Sequence, residues 1–361
     1  MTFTLEAVSD AQISEAYLFF RATHDEVTEK KKVSVEQPSD ELSLEVRHDA
    51  RRYPLPPFAD ITYWWQIENA AGERLKTDPR TFTYHDNRFS WDDLSGEGIT
   101  IHWMEDEGDP AFAQTALDIA RASVNDVEAE LRGPRPEPLD IFIYDSEAHL
   151  KDAMVLTGRE WLGGQARPEL GVVVAAVPSA QGYSSRMKRY LPHEITHLLL
   201  YELVTPNGYG HVPAWLNEGL ATANERLPTP EYALAIEEAR RADELIPLEE
   251  LCVPFSPDPQ TATLAYAQSG SVVAFIRETY GAEGIRQLLR AYADGASCTS
   301  GVESGLGVSL RELEADWRMS LEPEANWATL VNKTGFWIAA SLIGLLLMVP
   351  FMGSFRRRPR D

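Results

Sequence analysis

Basic residues are scarce in this chain. Its 361 residues include 33 lysines and arginines against 56 aspartates and glutamates, a formal charge of −23 at pH 7. Nucleic acid needs a basic footprint for its phosphates, so that class of partner is excluded. Cysteine is scarcer still. Cys252 and Cys298 are the only two, and neither their spacing nor their neighbours suit a zinc-binding cysteine cluster. No G-x-S-x-G occurs, and SGVESGLG has the wrong spacing for it, which removes a serine-nucleophile elbow. Internal repeats and long low-complexity tracts are absent, so a solenoid is excluded. The opening MTFTLEAVSDAQ has neither a basic n-region nor an apolar h-region.

The hydrophobic content of 44% and nine tryptophans suffice for real cores. One run is of a different kind. Gly335 to Phe355 (GFWIAASLIGLLLMVPFMGSF) is 21 residues without a charge. At about 1.5 Å per residue it spans roughly 30 Å, the thickness of a bilayer core. Trp337 stands near one end, and Arg356, Arg357 and Arg358 close the other, facing the cytoplasm by the positive-inside rule. A single-pass membrane protein is expected, with residues 1–334 outside the cytoplasm, a short stalk at 323–334 and a basic tail at 356–361. Since the visible start carries no secretory signal, export is expected either from a start that is truncated or mis-assigned, or by another route. An even cysteine count in an extracytoplasmic segment predicts one disulfide, Cys252–Cys298.

Residues 1–90 alternate apolar and polar in short runs (EAYLFFRAT, KKVSVEQ, ELSLEVRH, ITYWWQIEN, RTFTYHD) between turn-formers. This predicts a small all-β domain, an immunoglobulin- or fibronectin-like sandwich. Trp64 and Trp65 fall on opposite faces of one strand, so one is core and the other partly exposed. From about residue 95 the pattern becomes α+β: strands at ITIHWM, LDIFIYD and ELGVVVAAVP, then helices to about 322. SSRMKRYLPHEITHLLLYELV reads as a long helix that Pro192 is expected to kink, and AWLNEGLATANERL as another.

The chemistry resides in His193-Glu194-Ile195-Thr196-His197. Residues four apart share one helical face, so His193 and His197 can offer two imidazoles to one cation, with Glu194 in reach of the water on it. Catalytic zinc takes three protein ligands and keeps one position open. Glu218, 21 positions after His197, can supply the third from a second helix; His211 and Glu225 are the alternatives.

HEITH followed by WLNEGLA resembles the gluzincin group of metallopeptidases, in particular its thermolysin-like, "peptidase MA-like" catalytic domains. The resemblance covers roughly residues 95–320 and implies a zincin-like fold with one zinc ion per chain. It implies His193, His197 and Glu218 as ligands, Glu194 as general base, and peptide or protein substrates. Such families also steady the oxyanion with a tyrosine or histidine from a later helix, and Tyr266 stands in a similar segment. Two departures matter. Thr222 occupies the place of the carboxylate that usually supports a ligating histidine, and the glycine-rich exopeptidase motif is missing, which favours an endopeptidase. An extended peptide is expected to add along the strand at Gly171 to Ala175. The other class of function is a non-catalytic zinc-binding surface protein whose site is closed by His211 and whose β domain binds a partner.

Overall fold

A computed structural model of the chain describes residues 1–322, apart from 24–26, 50–54, 56, 106–107, 136–137, 154–162, 205–207 and 228. The expected stalk, membrane helix and basic tail lie outside the described residues. Among the described residues no helix is long and apolar enough to cross a membrane. The chain divides into two compact units, Met1–Leu310 and Arg311–Asp361.

The first sheet is antiparallel and built around β1 (Thr2–Ala22), a strand of 21 residues. β2 (Glu29–Val33) and β3 (Ser39–Arg47) pair with successive stretches of β1, Ala16 to Phe20 and Thr2 to Val8. β4 (Asp60–Asn69) pairs with Ile13 to Ala22 and in turn carries β5 (Arg74–Lys76) and β6 (Arg80–Thr83). On β1 the buried positions change phase, from Phe3, Leu5 and Ile13 to Ala16, Leu18, Phe20 and Ala22. The register against β4 shifts between Ile13 and Glu15. One extra residue in a bulge turns every later side chain to the other face of its strand, which accounts for the change. Trp65 is buried and Trp64 stacks on Phe19 at 5.5 Å, as the alternation predicts.

The described strands of this region form one six-stranded hydrogen-bonded sheet. β1 continues through its bulge and carries partners along both halves. It also folds back on itself: Phe3, near its start, stacks on Phe20, near its end, at 5.4 Å, so the two halves of the sheet share one apolar core.

The second sheet has the order β10-β11-β9-β8-β7. Its strands are β7 (Trp91–Gly96), β8 (Ile99–Met104), β9 (Leu139–Tyr144), β10 (Gly164–Arg167) and β11 (Val172–Ala176). β8, β9 and β11 are parallel, and antiparallel β7 and β10 flank them. Parallel neighbours need a long crossover. The helix α1 (Pro110–Leu131) provides it between β8 and β9, opened by Asp109, whose carboxylate accepts from the Phe112 N–H at 2.9 Å. α2 (Glu147–Ala153) follows β9, and Ser146 caps it by accepting from the His149 N–H at 3.3 Å. β11, Val-Val-Val-Ala-Ala, is buried at every position, as a strand covered on both faces must be.

The rest is helical: α3 (Tyr183–Val204), α4 (Ala214–Ala223), α5 (Pro230–Ala242), α6 (Pro259–Ala293), α7 (Cys298–Leu306) and α8 (Leu310–Ser320). α6 joins two segments that the sequence separates, across Gly281 at φ 68°, ψ −178°, a conformation open to glycine and strained for other residues. Within the second unit, Arg318 of α8 pairs with Glu314 at 2.7 Å.

The expected disulfide is present between Cys252 and Cys298, with Cα atoms 6.0 Å apart and a sequence separation of 46. By loop-closure entropy such a link contributes about 4 kcal/mol. Replacing both cysteines by alanine is expected to lower the denaturant midpoint of the Met1–Leu310 unit accordingly. An unchanged midpoint would assign the bridge no stabilising role.

Candidate metal centre

α3 carries the HEITH residues and runs through Pro192 as one helix. Proline has no N–H to give the carbonyl four residues back, and the Arg226 N–H takes that place, donating to the Lys188 carbonyl at 2.8 Å. α3 is thereby stitched to the chain that follows α4. α4 is apolar nearly all round, with Trp215, Leu216, Leu220 and Ala221 fully buried. It approaches α6 closely because both present glycine. A Cβ on Gly219 would lie 2.5 Å from the Ser269 carbonyl oxygen, and one on Gly270 would lie 2.8 Å from Thr222 Cγ2. That approach sets the depth at which Glu218, the neighbour of Gly219, meets α3.

The three expected ligands converge. One donor atom each from His193, His197 and Glu218 lies within 4.8 Å of the others. Glu218 Oε2 is 3.5 Å from Nε2 of both histidines. Metal–ligand bonds of 2.0–2.2 Å in a tetrahedron separate the donors by about 3.3–3.6 Å, so the set fits zinc. Both histidines are held from behind through Nδ1, which leaves Nε2 for the cation. His197 Nδ1 is 2.8 Å from Asn217 Oδ1, and His193 Nδ1 is 3.2 Å from Glu225 Oε1. Such partners orient metal-bound imidazoles and raise their basicity.

The electrostatics point the same way. Glu194, Glu218 and Glu225 are all buried around the two imidazoles. Buried anions at this density require a cation. Burial works against the His193 imidazolium, but hydrogen bonds to Glu218 and Glu225 outweigh it and raise its pKa to about 10. Burial opposes the Glu218 carboxylate too, yet His197 and His193 hold it well below its ordinary value. Glu194 behaves oppositely: burial raises its pKa, and the two histidines only partly offset this.

These groups open on a cavity of about 430 Å³, lined among others by Gly164, Gln165, Ala166, Tyr209, Val212 and Pro254. A smaller chamber of about 140 Å³ adjoins it at Gly164, His193 and Glu194, and includes Arg189, Tyr232 and Tyr266. Tyr266 is buried, its ring centre 6.1 Å from that of His193 and 5.1 Å from that of Phe255. It therefore sits at the site, in the side chamber. The main cavity has a tyrosine that the motifs do not mark. Tyr209 OH accepts from Asn217 Nδ2 at 3.2 Å, and burial pushes its pKa up to about 12.

One expectation changes, and two alternatives fall away. The edge strand at the site is β10, not the Gly171 to Ala175 segment, because β11 is enclosed between β10 and β9. His211 is exposed, near Gly295, and takes no part in the ligand group. Glu225 is not a ligand but the support of His193. Its position follows from α4 ending at Ala223, four residues before the expected helix does. Asn217 could have been read from its place beside Glu218; Glu225 could not.

Residues 119–323, more than half of the chain, match the Peptidase MA superfamily. The chain belongs to that superfamily. No curated protein matches it. As a Peptidase MA member it carries a metallopeptidase-type domain behind an N-terminal β-sheet region, and peptides or proteins are the implied substrates.

Proposed function

We propose that the chain is a zinc-dependent peptidase, an endopeptidase acting outside the cytoplasm and tethered to the membrane by residues 335–355. The observation that carries this reading is Glu194, buried between a three-donor metal group and the strand β10. His193, His197 and Glu218 would hold the zinc. Bound there, zinc supplies a Lewis acid and lowers the pKa of water from near 16 to about 7.

The chain's own residues supply the rest. Glu194 is aimed at the metal group, and its carboxylate accepts from the Ala166 backbone of β10. Its raised pKa suits a group that takes a proton from the attacking water and returns it to the leaving amine. Tyr266, with Tyr209 as the second candidate, donates to the oxygen on which charge develops. Among the described residues Gly164 to Arg167 form the outer strand of the sheet, along which an extended peptide adds as a further strand. The missing glycine-rich exopeptidase motif favours an endopeptidase.

The test is metal analysis of the purified chain, together with cleavage of an unbiased peptide library before and after chelation. Zinc near one per chain, and cleavage lost to chelator and restored by zinc, are expected. Cleavage indifferent to chelation would end the proposal.

Gly164 gives a second handle. A Cβ there would lie 3.1 Å from Glu194 Cγ and Oε1 and 3.3 Å from the Val174 carbonyl oxygen. Gly164→Ala therefore displaces the Glu194 carboxylate by a few tenths of an ångström. It is expected to lower kcat by about tenfold with zinc content unchanged. Unaltered kcat would mean that Glu194 does not work from this position.

A further inference from the structure

The turn that carries Glu225 is fixed by groups well away from the cavity. Arg277 of α6 donates from Nη1 to the Ala223 carbonyl at 3.3 Å and from Nη2 to Asn224 Oδ1 at 2.7 Å. Its Nε and Nη2 also bond the two oxygens of Glu130, each at 2.6 Å, across 147 positions of sequence. Asn224 Nδ2 donates to Thr196 Oγ1 at 3.1 Å, inside the HEITH sequence itself. On the far side, the Arg226 N–H is tied to the Lys188 carbonyl that Pro192 leaves open. Glu225 is the one residue between these anchors, and its Oε1 meets His193 Nδ1.

Glu130 stands at the C-terminal end of α1, where the helix dipole disfavours a carboxylate. Arg277 neutralises it, and Arg286 Nη1 donates to its backbone carbonyl. A paired, charge-assisted bond of this kind has one geometry, unlike a single contact.

We propose that the Glu130–Arg277 pair is a positioning device for the metal centre. It locks the Ala223–Asn224 turn, and through it the Glu225 carboxylate that accepts a hydrogen bond from His193 Nδ1 and leaves Nε2 to the cation. Neither residue touches substrate or metal; both act through Glu225. The inference rests on the zinc reading of the site.

The experiment is zinc affinity of the full chain, by competition with a chromophoric chelator, for Arg277→Met, Glu225→Gln and the two together. The melting temperature of each metal-free protein is recorded separately. Glu225→Gln is expected to weaken zinc by about 10–100-fold and Arg277→Met by about tenfold. In the Glu225→Gln background the Arg277→Met change should cost almost nothing further, because its route is already cut. Arg277→Lys should recover part of the loss. Glu128→Gln, which breaks a pair between α1 and Arg135 beyond its end, should leave zinc affinity unchanged.

Equal weakening in both backgrounds, or none in either, overturns the proposal, as does an unaltered Glu225→Gln. Wild-type chain that fails to bind zinc overturns the metal reading itself, which is a separate result. Should Arg277→Met not fold, Glu130→Gln, which leaves the bonds to Ala223 and Asn224 possible, serves in the same cycle.

Discussion

Glu194→Gln is expected to reduce peptide hydrolysis by about 10²–10⁴-fold while the protein still binds one zinc. The substitution keeps side-chain volume and one acceptor oxygen, so the packing against Gly164 and β10 survives. What is lost is the capacity to hold a proton between the attack on the carbonyl and departure of the amine. Glu194 is not among the three converging donors, hence the expectation that metal is retained. The measurement is kcat/KM on the best library peptide, beside metal content of the same preparation. Turnover near wild type would remove Glu194 from the mechanism. Loss of both activity and zinc would instead give it a structural part in the site.

Zinc affinity should fall steeply with acidity, by about tenfold for each unit of pH lowered between about 9 and 7. The sign follows from His193. In the metal-free protein its carboxylate partners raise the pKa to about 10, so the ring is charged through the neutral range. A ligand must be neutral. Binding therefore expels that proton at any pH below about 10, and the cost grows as pH drops. Above about 10 the ring is already neutral, and this dependence should flatten. Calorimetry at pH 7.5 in buffers of different ionisation enthalpy should register about one proton released per zinc. A dissociation constant flat from pH 7 to 9 would show that His193 is neutral before the metal arrives.

Much of the metal centre is legible in the amino-acid order because helical spacing is local. His193 and His197 share a face whatever surrounds them, and Glu218 lies midway along a helix that its own apolar residues bury. Glu225 is not legible in this way. Its role depends on α4 stopping at Ala223, and that stop is imposed by Asn224, Thr196 and Arg277, distant in sequence. β10 escaped for a related reason. Gly-Gln-Ala-Arg has no alternation to display, and only its pairing with β11 makes it a strand. In the N-terminal region the strands are readable from their alternation, whereas their union in one sheet is not. Which ladder a strand joins is decided by partners tens of residues away, and a bulge of one residue in β1 reassigns the faces.

The disulfide has a consequence for how the cleft is held. Cys252 borders the main cavity, and Cys298 opens α7. The rim near Pro254 is thus tied covalently to α7, and reduction opens that tie. With both thiols reduced, this wall of the cleft loses its link to α7, so the hold on the rim depends on the redox state of the surroundings.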